Sequence, residues 1–255
     1  MDLRQKIAVI TGGGSGIGRG IAIVLANAGA RVVICGRQQE TLDETLSLVQ
    51  KSGSSGRAIT CDVTSPNQLN SLFNQVAEKW KQVDVLVNNA GVCGPNPIND
   101  SGKRWRSIIA TNLDGPFHCT RAALPWIPAG GRIVNISSIS GRFGVPGYTA
   151  YCSSKHGLIG FTRALALELA PRRITVNAVC PGWVETEMAR MGMEEGAKET
   201  GMEYGEYRRR ALNNVPLKEI VQPHEVGELV CFLASDGARN ITGQSYNLCG
   251  GQIMS

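Results

Sequence analysis

Lys6-Ile7-Ala8-Val9-Ile10-Thr11-Gly12-Gly13-Gly14-Ser15-Gly16-Ile17-Gly18 decides the fold. An unbroken apolar run ends in a glycine-rich turn, and an amphipathic stretch follows at once. Runs rich in Val and Ile with little alternation mark strands buried on both faces of a parallel sheet. Glycines after such a strand let the backbone turn tightly and approach a pyrophosphate. The helix start behind them adds N–H donors and the positive end of a dipole. A lone glycine pattern is weak; the strand before and the helix after are its confirming context.

The same alternation runs through the chain. Residues 6–11, 31–35, 57–61, 83–87, 132–136, 174–179 and 244–248 predict seven strands. Residues 16–29, 38–52, 66–81, 103–125, 151–170 and 223–235 predict helices, and Thr64-Ser65-Pro66 reads as a capped helix start. Such β-α alternation implies right-handed crossovers and an α/β fold: a doubly wound seven-stranded parallel sheet with helices on both faces. With no repeat or linker, residues 1–255 form one domain. Residues 184–218, rich in Met, Glu, Gly and Arg, break the rhythm after a strand whose carboxyl end faces the ligand crevice. They are expected to form a lid.

Composition narrows the function. The net charge of +5 is mild, and the basic residues are scattered except for Arg208-Arg209-Arg210, so no nucleic-acid partner is expected. No signal-peptide h-region and no membrane-length apolar run occur, which points to a cytoplasmic protein. Eight separated cysteines without a Cys-x-x-Cys read as reduced packing residues, and three histidines show no metal spacing, so no metal is expected.

The chemistry lies in Tyr151-Cys152-Ser153-Ser154-Lys155, thirteen residues after Ser138. A spacing of four puts a phenol and an ammonium on one helix face. An ammonium that close is expected to lower the tyrosine pKa and fit it to pass a proton to or from a substrate oxygen.

Gly12-x-x-x-Gly16-x-Gly18, Asn88-Asn89-Ala90-Gly91, Asn112, Ser138, Tyr151/Lys155 and Pro181-Gly182, in order across nearly the whole chain, resemble the short-chain dehydrogenase/reductase family. The resemblance implies a single-domain Rossmann fold and a tetrad of Asn112, Ser138, Tyr151 and Lys155. In it Ser138 holds the substrate oxygen, Tyr151 moves the proton, Lys155 grips the nicotinamide ribose and Asn112 anchors a water. It implies cofactor contacts at Gly12, Ser15, Gly16, Ile17 and Gly18, an adenine contact at Asp62 and Val63, and a ribose wall at Asn89, Ala90 and Gly91. At the nicotinamide end it implies Pro181, Gly182, Val184 and Thr186.

Cofactor choice is read at the end of the second strand. An NAD-binding chain usually places an acid there; this chain reads Cys35-Gly36-Arg37. A guanidinium suits a 2′-phosphate, so NADP(H) is expected over NAD(H).

The pocket wall is expected from residues 93–98, 139–148 and the lid. Phe143, Val145, Tyr148, Trp183, Met188 and Met191 make it apolar, with few fixed charges. Residues 177–186 and Val221-Gln222-Pro223 resemble β-ketoacyl-thioester reductases, above all polyketide ketoreductases and acetoacetyl-CoA reductases. That implies reduction of a small-molecule ketone or acyl thioester, with Arg172-Arg173 or Arg208–Arg210 meeting the phosphates of coenzyme A or an acidic carrier. Trp126-Ile127-Pro128-Ala129-Gly130-Gly131, without a basic residue, departs from the carrier-dependent pattern. The alternatives are a dehydrogenase of cyclic or aromatic secondary alcohols and a non-catalytic nucleotide-binding subunit. By the same resemblance a homotetramer is expected.

Overall fold

The computed structural model describes residues 1–254. Its strands are β1 (Ile7–Thr11), β2 (Arg31–Gly36), β3 (Gly56–Thr60), β4 (Val85–Asn88), β5 (Arg132–Ile136), β6 (Thr175–Pro181) and β7 (Ser245–Leu248). All pair in parallel, in the order β3-β2-β1-β4-β5-β6-β7. The order changes direction between β1 and β4, and that switch point opens a crevice at the strands' carboxyl ends.

Helices α1 (Gly16–Asn27), α2 (Gln39–Lys51), α3 (Pro66–Trp80) and α4 (Lys103–Ile109) follow the first four strands in turn. Beyond them stand α5 (Gly115–Ala123), α6 (Thr149–Leu169), α7 (Glu187–Thr200), α8 (Tyr204–Asn213) and α9 (Pro223–Ala234). One face of the sheet packs on α1, α2 and α9, the other on α3, α5 and α6. Along β1, Ala8 and Ile10 enter the first core while Ile7 and Val9 enter the second. Both sets lose their water, which is why the strand shows no polar alternation. Ser65 caps α3, accepting from the Gln68 N–H, with Pro66 in the first turn.

The expected strands, and every expected helix but one, recur within two residues at each end. The exception is 103–125. It is not one helix: α4 passes into a π-helical turn, Ala110–Asp114, before α5 begins, and a 3-10 turn at Leu124–Trp126 follows. Pro116 has no N–H to give the Asn112 carbonyl four residues back, and the Gly115 N–H instead bonds Ala110 O, five residues back. The segment 184–218 holds α7 and α8.

No helix is long and apolar enough to cross a membrane, among the described residues. All eight cysteines are free thiols, and every one but Cys93 is buried.

Candidate active site

The first cleft wall is the β1–α1 turn. Gly12 stands at φ +65°, and a Cβ there would sit 2.8 Å from Ala90 Cα; one on Gly18 would sit 2.1 Å from Gly12 O. Any side chain would therefore push the turn off its neighbours, and what remains is bare backbone at a helix start. This fits the diphosphate of a dinucleotide. Across the cleft, the Thr186 methyl carbon would lie 3.1 Å from a Cβ on Gly16.

Two residues from distant sequence hold that turn. The Thr11 hydroxyl accepts from the N–H groups of Asn89 and Ala90, each at 3.0 Å. The Asn89 side chain donates to Thr11 O at 2.9 Å and Gly12 O at 3.1 Å. Asn89 thus braces the glycine turn with its amide, a use its sequence position did not disclose. Asn88 is buried in a polar chain, donating to Asn135 Oδ1 at 2.8 Å, while Asn135 donates to Thr162 Oγ1 at 2.9 Å.

The cleft encloses about 340 Å³. Gly12, Ser15, Gly16, Ile17 and Gly18 line one end, and Arg37, Asp62, Val63, Asn89, Ala90 and Gly91 its flank. Tyr151, Lys155 and Thr186 close it. Pro181, Gly182 and Val184 are not among its walls. Pro181 ends β6, Gly182 donates to Leu248 O at 2.9 Å and rests on Cys249, and buried Val184 bridges Val221. Met188, expected on the pocket wall, lines the cleft, and Ser137, Thr41 and Glu187 line it unforeseen. Glu187 could have been found: it opens α7 directly after Thr186, its N-cap.

Exposed Arg37 stands at the carboxyl end of β2. Burial works to raise the Asp62 carboxyl, but the Thr64 N–H and hydroxyl, both bonded to Oδ1, outweigh it, and Arg37 helps lower it further.

Ser138 follows β5 by two residues; its hydroxyl accepts from the Ser140 N–H at 3.1 Å and is near enough to the Tyr151 phenol to favour its ionised form. Lys155 Nζ lies 5.6 Å from the Tyr151 ring centre and donates to Ile136 O at 2.9 Å. Asn112 spends both side-chain atoms on the Val92 backbone, at 2.8 and 2.9 Å, and also donates to Ser154 Oγ at 3.2 Å. The amide is thus fully occupied, while Pro116 leaves the main-chain carbonyl without its usual donor.

One electrostatic expectation is reversed. Burial pushes the Tyr151 phenol above its ordinary range, with Cys93 adding and Ser138 only partly offsetting. The same burial drops the Lys155 ammonium to about 8. Desolvation is the largest cause for both groups, and it favours the neutral form of each. Burial pushes the Tyr148 phenol up to about 12, with Cys93 and then Glu195 and Glu199 of α7 adding to it.

Comparison with known proteins agrees with this architecture. A family model described as enoyl-(acyl carrier protein) reductase matches residues 12–252. A Streptomyces coelicolor protein named for ketoacyl reduction is 42% identical over 97% of each chain. A 3-oxoacyl-(acyl-carrier-protein) reductase of Thermotoga maritima is 37% identical over 100% of each. A variant of actinorhodin polyketide ketoreductase, crystallised with NADPH, superposes with a TM-score of 0.94 at 42% identity over 99% of each chain. With its glycine turn, switch-point crevice and paired tyrosine and lysine, the chain is an oxidoreductase that belongs to the short-chain dehydrogenase/reductase family.

Proposed function

We propose that the protein reduces the keto group of a 3-oxoacyl thioester to a secondary alcohol, with NADP(H) as cofactor. The observation that carries this reading is Tyr151 with Lys155 Nζ 5.6 Å from its ring centre, both lining the cleft that the glycine turn also lines. When bound, NADPH supplies a hydride to the carbonyl carbon. Tyr151 gives its proton to the carbonyl oxygen, which becomes the alcohol. Its raised pKa keeps that proton in place at neutral pH, the form a donor needs. Ser138 donates to the same oxygen and stabilises its charge as it develops. Lys155 faces the phenolate that donation leaves behind. Asn112 holds the Val92 wall against α6. Two donors aimed at one oxygen favour a carbonyl over the carbon–carbon double bond that the family model's description names.

The Met-bearing hairpin of α7 and α8 is assigned as the lid. Its base is tied by the Val184–Val221 bridge, and closure over the substrate is its role in this reading. A homotetramer through α4–α6 and the C-terminal segment is part of the same reading, and light scattering checks it.

The functional test is NADPH oxidation over a carbonyl panel with acetoacetyl-CoA beside free ketones. Acetoacetyl-CoA is expected to react fastest. Turnover of free ketones alone removes the thioester, and binding without any turnover supports a non-catalytic subunit.

Arg37 supports NADP(H) over NAD(H), as a fork for the 2′-phosphate. Charged hydrogen bonds contribute about 1.5–3 kcal/mol, so Arg37→Asp is expected to lower kcat/KM for NADPH by about 10- to 100-fold and to raise it for NADH. Unchanged NADPH use in this variant refutes the assignment.

A further inference from the structure

We infer that Asn96, in the loop after β4, is a positioning residue for Tyr151. Helix α6 begins at Thr149, and its N-cap position, Tyr148, supplies no side-chain cap. The cap comes from 54 residues upstream: Asn96 Oδ1 accepts from the Ala150 N–H at 2.8 Å and from the Thr149 hydroxyl at 3.2 Å. The Asn96 N–H donates to Gly147 O at 2.7 Å, and Asn96 pairs with Tyr148 in a parallel bridge. The side chain is 4% exposed, so no water can replace it cheaply. Residue 150 directly precedes the proposed proton donor.

The other end of this loop is held in the same manner. Asn112 grips the Val92 backbone and donates to Ser154, whose hydroxyl donates to Tyr151 O at 2.8 Å. Residues 92–96 are therefore strung between two asparagine side chains, each bonded to the first turns of α6. Asn96 fixes the turn just before Tyr151, and Asn112 the turn just after it. A phenol that must reach one oxygen tolerates little drift, since a displacement of about 1 Å can cost about 100-fold in rate.

The inference rests on the proposed reaction for its kinetic readout, so the test carries a second readout that needs no substrate. Asn96→Ala is expected to lower kcat by about 10- to 100-fold while the Kd for NADPH stays within about twofold. Asn96→Asp keeps the acceptor oxygen and is expected to restore kcat. Acetoacetyl-CoA and cyclohexanone serve as parallel substrates; if only the ketone reacts, the thioester reading fails and the positioning role is still measured. Hydrogen exchange is read at the Ala150 amide, which should open in Asn96→Ala and stay protected in Asn96→Asp. If Asn96→Ala keeps wild-type kcat, if Asn96→Asp falls as far as Asn96→Ala, or if the Ala150 amide does not respond, the role is refuted.

Discussion

Tyr151→Phe is expected to lower kcat by about 100- to 10,000-fold, the range of a positioned proton donor, while NADPH binds as in wild type. The substitution removes one oxygen and keeps the ring, so the packing between α6 and the loop after β5 is preserved. What disappears is the hydroxyl that the proposed reaction uses as its proton source. Because burial holds the wild-type phenol above its ordinary range, the donor form is complete at every working pH. The loss should therefore be full below pH 8, where Lys155 is still charged, and should shrink at pH 9 as wild type itself slows. Single-turnover rates with acetoacetyl-CoA, beside a fluorescence titration of NADPH, make the measurement. Turnover above a tenth of wild type removes Tyr151 from the mechanism.

Lys155→Met is expected to abolish useful turnover and yet leave the protein as stable at pH 7 as wild type, or more so. Lys155 is 5% exposed, and burial lowers the pKa of its ammonium from 10.5 to about 8. The folded protein thus binds fewer protons here than the unfolded chain between pH 8 and 10.5. Wild-type stability rises with pH through that window, and below pH 8 the cost of the buried charge is present in full. At about 1.36 kcal/mol per unit the shift corresponds to roughly 3 kcal/mol. Loss of the charged bond to Ile136 O offsets about 1.5–3 kcal/mol of what methionine relieves. A net gain of up to about 1.5 kcal/mol would raise Tm by up to roughly 3–6 °C in a chain of this size. The advantage should shrink as pH approaches 10.5, because wild-type Lys155 is then neutral. For catalysis the sign is opposite: kcat/KM for reduction in wild type should fall as pH passes about 8, when the charge facing the phenolate is lost. Thermal melts at pH 7 and 10 beside the pH–rate profile test both halves. A variant several degrees less stable at pH 7 would show that this lysine supports the fold rather than burdening it.

Much of the fold was legible because its signals are local. A Val/Ile run, a glycine that must take a positive φ, and a proline in a first turn each act on the residues beside them. The strand–turn–helix at 6–18 therefore announced the switch-point cleft, and the four-residue spacing announced that Tyr151 and Lys155 share a face. Arg37, at the end of β2, was placed by the same logic.

Other features were decided by neighbours far away in the chain. Asn89 reads as a turn former and acts as a brace on Gly12, 77 residues before it. Asn96 carries no signal of its own and caps a helix 54 residues later. Pro181, Gly182 and Val184 match a motif, and only the fold shows that Gly182 and Val184 are seated by pairing with Leu248 and Val221. The tyrosine pKa went opposite to expectation because the helical spacing carried only the attraction between two charges. Sequence by itself determined the order of strands and helices and which reactive groups stand together, since those follow from backbone conformation and periodicity. Tertiary structure alone decided how dry those groups are and what holds them, because desolvation and long-range hydrogen bonds exist only once distant segments pack.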